Sequence, residues 1–268
     1  MPVSTLGHAD MVDAIFLTAV EGCLSWNVAP FLNFESLGES IWFTSDISNA
    51  LFNSVVKTDP SLPIFRETVA LVRAINPARP FAWLIPDRPA FSAAHHRELE
   101  NAGFHLSGST SGMIFEGRGN PVHNSPKSNL SFAQIETSDP QFREWSKVIL
   151  EAYGFDPKLE PAWTELHQCL GNNSEQFWAH FVASLDGEFV GVCSLFHGTQ
   201  AGSIANFAIR ERFRGKGAGR YLLARTLEWS KSHFPDLLLT LFATPQAVSL
   251  YKSLNFIECG KMYLYFSD

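Results

Sequence analysis

One stretch restricts the fold more than any other. A strand pattern over residues 203–209 runs into Arg214-Gly215-Lys216-Gly217-Ala218-Gly219-Arg220, a helical pattern follows over 222–234, and a nearly continuous apolar run fills 237–243. Such a run fits a strand covered on both faces. Strand, glycine-rich turn, helix and buried strand in that order imply a parallel crossover. Just upstream, the β runs 177–185 and 188–196 are joined by Asp186-Gly187. That dipeptide tolerates the positive φ angles of a tight hairpin, so an antiparallel pair precedes the crossover.

The rest of the chain alternates in the same way. Apolar spacing predicts helices over 9–24, 62–75, 139–153, 160–170 and 245–254, and a more polar helix over 89–102 ended by Gly103. Strands are expected at 40–43, 51–56, 81–85, 104–115, 130–135 and 256–266. Residues 117–129 hold two Gly, two Pro and three Asn with no apolar period. Little there can be buried, so the segment reads as a linker between domains 1–116 and 130–268. There is one long-range echo. Phe81-Ala-Trp-Leu-Ile, a helix and Ala102-Gly103-Phe104 parallel Leu239-Thr-Leu-Phe-Ala, a helix and Leu254-Asn255-Phe256.

Composition removes several classes. With 268 residues, 46% hydrophobic and 18% charged, the chain is a folded globule. Uninterrupted apolar stretches are short, so no membrane span is expected, and the N-terminus has no basic start or apolar core of a secretory signal. Cys23, Cys169, Cys193 and Cys259 are widely spaced. They make neither a disulfide framework nor a zinc site, so no metal is expected and a reducing, cytoplasmic setting is. The net charge of −7 speaks against a general nucleic-acid binder.

Charge is not evenly spread. Arg210, Arg212, Arg214, Lys216, Arg220 and Arg225 face the single acid Glu211, a local +5 between residues 210 and 225. Alternate glycines there can adopt backbone angles closed to other residues. Free N–H groups at the start of the next helix, aided by its dipole, would cradle a bulky anion. A polyphosphate suits both features. There is no Gly-Lys-Ser/Thr ending for a Walker loop and no Gly-x-Gly-x-x-Gly for a dinucleotide fold.

The run Ile204-Ala-Asn-Phe-Ala-Ile209, then Phe213-Arg-Gly-Lys-Gly-Ala-Gly219, resembles the fourth strand and pyrophosphate loop of the GNAT superfamily of N-acetyltransferases. Ala247-Val-Ser-Leu-Tyr251-Lys-Ser-Leu-Asn-Phe256 is similar to that family's Ala-x-x-Leu-Tyr-x-x-x-Gly-Phe segment. The resemblance covers about 130–268. More faintly, Trp83 to Phe104 with Gly112-Met113 resembles the end of a second, degenerate lobe without the glycine loop. The implied fold is α/β (α+β): two GNAT-like lobes, each a mixed, mostly antiparallel sheet flanked by helices, with the parallel crossover in the C-terminal lobe.

The resemblance also implies an activity and its residues. An acetyl group would pass from acetyl-CoA to a primary amine, on a small molecule or a peptide, by direct attack in a ternary complex. Backbone groups of Arg214, Gly215, Lys216, Gly217, Ala218, Gly219 and Arg220 would hold the pyrophosphate. Phe207, Ala208 and Ile209 would pair with the pantetheine arm and the acetyl carbonyl, and Thr244 and Ala247 would also line the coenzyme. Tyr251 would protonate the leaving thiolate. No nucleic acid or membrane partner is implied, and monomer and homodimer both stay open.

Departures from the family pattern bear on mechanism. Ser203 stands where some members have a catalytic Glu, which leaves His180, His197 or Glu258 as base candidates. Each also reads as an ordinary strand residue. Thr244 replaces a frequent Asn, and Asn255 a frequent Gly; Asn tolerates the left-handed helix end. The absent carboxylate motivates a second reading, an acyl-CoA-binding sensor or interaction module without catalysis. Arg88, His95, His96 and Arg97 read as a substrate-facing cluster or, more plainly, as a solvated helix face.

Overall fold

A computed structural model describes residues 6–75, 79–117, 129–171 and 177–267. Along the chain come α1 (His8–Leu24), β1 (Asn33–Leu37), β2 (Ser40–Thr44), β3 (Ser54–Lys57), α2 (Leu62–Ile75), β4 (Phe81–Pro86), α3 (Ala93–Asn101) and β5 (His105–Phe115). There follow β6 (Leu130–Ile135), α4 (Phe142–Tyr153), α5 (Glu160–Gly171), β7 (Phe177–Leu185), β8 (Glu188–His197) and β9 (Gly202–Ile209). The chain closes with α6 (Ala218–His233), β10 (Leu239–Ala243), α7 (Val248–Lys252) and β11 (Phe256–Ser267). The expected linker lies almost wholly outside the described residues.

Two compact units are present: Met1–Ala29 with Met113–Cys259, and Pro30–Gly112 with Gly260–Asp268. They differ from the sequential halves 1–116 and 130–268, because each unit takes a segment from the opposite end of the chain. In the larger unit α1 buries Ala14, Ile15, Phe16, Thr18 and Gly22. Ile15 packs with Ile114 and Cys259, and the ring of Phe16 lies 5.4 Å from that of Phe242. The 21-residue stretch His8–Val28 is long and apolar enough to cross a bilayer by length and composition alone. The reading of short uninterrupted runs passed over it, because Asp10, Asp13 and Glu21 interrupt the run.

In the larger unit the strands follow the order β11-β5-β10-β9-β8-β7-β6. β6, β7, β8 and β9 pair antiparallel, and β9 pairs parallel with β10. The β7–β8 turn has φ +50° at Asp186 and +85° at Gly187, as the hairpin requires. Every inner position of β8 is buried, so both its faces are covered. Leu222, Leu223 and Leu227 of α6 pack on Val190, Leu195 and Leu241. Trp145 of α4 is fully buried and donates its indole N–H to the Phe181 carbonyl at 3.2 Å. Three helices start later than the sequence suggests: α3 at Ala93, α4 at Phe142 and α7 at Val248. Thr244 therefore does not cap α7; its carbonyl instead closes a turn with the Ala247 N–H at 2.9 Å.

In the smaller unit the order is β1-β2-β3-β4-β11-β5. β3 pairs parallel with β4 across α2, so a parallel crossover occurs here too and is not confined to the C-terminal lobe. Strand β1 was not anticipated; its residues are half-buried or exposed and give no clear period. Where the larger unit has its glycine loop, this one has the buried Asp59. The Asp59 carboxylate accepts the N–H groups of Ser61 at 2.7 Å and Glu39 at 2.8 Å. The carboxylate thus takes the Ser61 N–H at the head of α2 and the Glu39 N–H of the β1–β2 turn, so a negative charge already stands at the start of that helix. The echo between the halves is structural as well. Gly103 and Asn255, each just past a helix, have φ +83° and +67°.

Candidate active site

The site is built where β9 and β10 part. Their pairing runs from Gly202–Leu239 to Ile204–Leu241 and stops. β9 continues for five more residues, to Ile209, without that neighbour. Within this free stretch the register to β8 slips: Ala205 faces Ser194 and Ala208 faces Val192, so Asn206-Phe207 oppose Cys193 alone. This is a β-bulge, which bends the strand and re-aims its backbone. Asn206 takes φ +53°, an angle Asn tolerates better than most residues. Its side-chain NH₂ donates to Ser194 Oγ at 3.1 Å, and Ser194 Oγ lies 2.9 Å from His180 Nδ1.

The loop after β9 has the alternation its glycines predict. Gly215 and Gly217 have φ +71° and +88°. A Cβ on either would meet nothing within 4 Å, so backbone conformation and not crowding calls for glycine. Gly219 is helical, and a Cβ there would meet Ile209, Phe207 and Leu250 at ordinary contact distance. Main-chain hydrogen bonding lapses through the loop and resumes with Tyr221 N–H to Gly217 O at 3.0 Å. N–H groups from Gly215 to Arg220 meet no acceptor among the described residues, which leaves six donors at the head of α6. Arg214 falls out of the expected cradle, because its N–H donates to Glu211 O at 3.0 Å.

Much of the local +5 is compensated by partners on other elements. Arg210 is buried and binds Glu144 at 2.6 Å, Glu151 at 2.9 Å and Glu188 at 3.4 Å. Arg212 also pairs with Glu188, and Arg225 with Glu228 at 2.8 Å. Arg214 donates to Ile209 O at 3.0 Å and Ala152 O at 2.9 Å. Arg220 holds Ser253 Oγ at 2.7 Å, tying α6 to the end of α7. Lys216 is exposed beside the Phe213 ring, with no ion pair among the described residues. Much of the local charge therefore clamps α4 and α7 to the loop, and the unpartnered donors there are backbone N–H groups.

Tyr251 is buried on α7, its ring 5.8 Å from Phe207 and 5.7 Å from Phe256. Burial, then the neighbouring Tyr153 and Cys193, hold its hydroxyl well above the usual phenol range, so it is protonated at neutral pH. Cys193 is buried against Thr226 Oγ1 at 3.1 Å, and burial pushes its thiol up to about 12. It is no nucleophile near neutrality. Phe207, Ala208, Ile209 and the loop thus come together with Tyr251. Thr244 is exposed and Ala247 half-buried on the turn into α7.

The base candidates fare unevenly. Ser203 is half-buried between Phe196 and Thr240 in the paired part of β9. His197 packs on Phe234 at 4.7 Å, and Glu258 is paired with Lys252 at 2.8 Å. His180 and His167 are buried 5.0 Å apart among Phe142, Trp145 and Trp163. Burial lowers His180 to about 3, and burial with His180 beside it lowers His167 well below its ordinary value. Neither is basic enough to hold a proton at neutral pH. In the other unit His95 is buried and 3.0 Å from Pro60 O, and His96 Nδ1 lies 2.6 Å from the Tyr265 hydroxyl. His95 is thus part of the packing of α3, not of a solvated face. Among the described residues no group of three or more His, Cys, Asp or Glu could hold a metal.

Asn206 and Tyr153 were not foreseen. Asn within an apolar strand was a usable signal, since Asn is depleted from strand interiors and favours left-handed angles. Nothing local marks Tyr153, which gains its place from the fold of α4 over β9.

Residues 140–256 match the family described as "Acetyltransferase (GNAT) family". No curated protein matches the chain. Among solved structures it is similar to a GCN5-related N-acetyltransferase from Kribbella flavida, with TM-score 0.68 and 12% identity, covering 95% of each chain. It is also similar to a tandem GNAT protein from the clavulanic acid biosynthesis pathway, with TM-score 0.63 and 14% identity, covering 98% of this chain and 96% of that one. A GCN5-related N-acetyltransferase from Sphaerobacter thermophilus gives TM-score 0.61 and 14% identity, covering 98% and 93%. These likenesses show that the chain has the fold of GNAT acetyltransferases, and the family match covers residues 140–256, less than half of the chain.

Proposed function

We propose that the protein is an N-acetyltransferase that moves an acetyl group from acetyl-CoA to a primary amine. The observation that carries this is the conjunction of a strand freed from its neighbour at a bulge with a six-donor cradle at the head of α6. A long donor with an anionic diphosphate and an amide-bearing arm fits both. The N–H groups from Gly215 to Arg220 take the diphosphate, and the open edge of β9 from Phe207 to Ile209 takes the arm. Backbone N–H groups there polarise the thioester carbonyl. The neutral amine attacks that carbon, the C–S bond breaks, Tyr251 donates its proton to the departing sulfur, and the proton released by the amine nitrogen passes through solvent to restore the Tyr251 phenol. Cys193 is fully buried on β8 and burial holds it as a thiol, which supports direct attack over an acyl-cysteine at that residue.

We read the chain as a tandem protein whose donor site lies in the larger unit alone. Asp59 already fills the matching place in the smaller one. Gly217→Glu tests the cradle. Its side chain would enter the open space over the loop, at a φ that strains any non-glycine residue, and would repel phosphate. Acetyl-CoA binding by titration calorimetry should fall at least about a hundredfold, given the strength of charge-assisted bonds lost; unchanged affinity would remove the cradle. Ser203 in place of a carboxylate favours one second reading, a binder without catalysis. Saturable acetyl-CoA binding with no transfer to any of a broad set of amines would select it.

A further inference from the structure

The carbonyl that a bound donor arm would need is already taken. Arg210 N–H donates to Val190 O on β8 at 3.0 Å. By antiparallel alternation the carbonyls of Ile209, and of Phe207 two residues before it, turn to the other side. Each has a side-chain partner. Ile209 O accepts from Arg214 Nε at 3.0 Å, and Phe207 O accepts from the Tyr153 hydroxyl at 3.1 Å. The two partners are not equally fixed. Arg214 is forked, with a second bond to Ala152 O at 2.9 Å. Tyr153 makes one bond through its only donor, and the residue is 48% exposed although its hydroxyl end is buried enough to be held above the usual phenol range. It is the last residue of α4, followed by Gly154 at φ +71°.

Its position is nonetheless not accidental. Arg210 holds α4 through Glu144 and Glu151, and Arg214 holds Ala152 O beside Tyr153. The same loop that offers the phosphate cradle therefore sets this phenol over the bulge. Phe207 O lies at the bulge, and the Phe207 ring touches Tyr251. A ligand amide N–H running along β9 and the Tyr153 hydroxyl cannot both own that carbonyl at full strength.

We propose that Tyr153 is a donor-site residue whose hydroxyl competes with an amide N–H of the acyl donor's arm for the Phe207 carbonyl. This rests on the donor-site reading above. In the free protein the phenol keeps a strand-edge carbonyl satisfied, and on loading it rotates off toward solvent. The device keeps the open strand edge from pairing with other chains, at the expense of donor affinity.

Removing only the hydroxyl tests this. Tyr153→Phe should bind acetyl-CoA about three- to tenfold more tightly, the equivalent of one net hydrogen bond no longer broken. Adenosine 3′,5′-bisphosphate reaches the cradle but carries no amide arm, so its affinity should stay within about twofold. Tyr153→Leu should repeat the pattern, which guards against an effect peculiar to the phenyl ring. Acetyl-CoA affinity unchanged or weaker in both variants overturns the proposal, as does a parallel change for both ligands. If the wild-type protein binds neither ligand, the donor-site reading itself has failed.

Discussion

At the scale of single residues, the buried Tyr251 and the half-buried Asn206 do opposite things. Tyr251 is held protonated by its surroundings, so it can give a proton or a strong hydrogen bond when charge grows on sulfur. Tyr251→Phe keeps the packing on Phe207 and Phe256 and removes only that donor. Turnover should fall about a hundredfold, at the lower end for a lost general acid, while acetyl-CoA affinity stays within about twofold. Steady-state kinetics beside titration calorimetry separate the two, and equal turnover would retire Tyr251 as the acid. Asn206 spends its side chain on structure: its bond to Ser194 helps hold a left-handed residue in a strand. The glycines could be read from the sequence because positive φ is a local demand. Tyr153 could not, because its partner Phe207 lies 54 residues away.

At the scale of elements, the periodic helices and strands were legible and their ends were not. The hairpin at Asp186-Gly187, the glycine loop opening α6, and the strand β10 follow from local chemistry. The later starts of α4 and α7 depend on turns, Asp139 to Phe142 and Thr244 to Ala247, closed by backbone bonds the apolar pattern does not encode. The basic cluster was misjudged for a related reason. Its acidic partners Glu144 and Glu151 sit on α4, far away in sequence, so a local charge count could not reveal them. The packing of α5 on β7 adds a pH dependence. His180 and His167 are neutral when folded, with values lowered by burial, His180 to about 3, whereas an unfolded His titrates near 6.5. Their contribution is therefore complete above about pH 6.5 and is lost as pH falls toward 3. Between pH 7 and 5 stability should drop by about 2 kcal/mol through His180, and further through His167 in the same direction. Urea denaturation across that range checks it. His180→Phe should flatten the dependence by one histidine's share, and an unaltered slope in that variant would assign the effect elsewhere.

At the scale of the whole molecule, neither unit is one continuous piece of chain. The smaller unit's sheet places β11 between β4 and β5, with Leu264 facing Leu84 and Tyr265 facing Trp83. Tyr265 is buried in the same cluster as Trp83 and Phe104. Deleting residues 260–268 should therefore open the middle of that sheet, not trim its rim. Hydrogen exchange should lose protection over residues 81–86, with residues 188–197 much less affected; wild-type protection at 81–86 would contradict the assignment.

That placement of β11 also has a consequence in time. Residues 30–112 leave the ribosome long before the strand that belongs among them, and at typical synthesis speeds the delay is roughly ten to thirty seconds. Through that interval β4 and β5 present unpaired edges beside an aromatic core still without Tyr265. Nascent chains of this protein should call on holdase chaperones until the final residues emerge, and a faster-folding N-terminal half would bring no relief, because the missing piece has not yet been made.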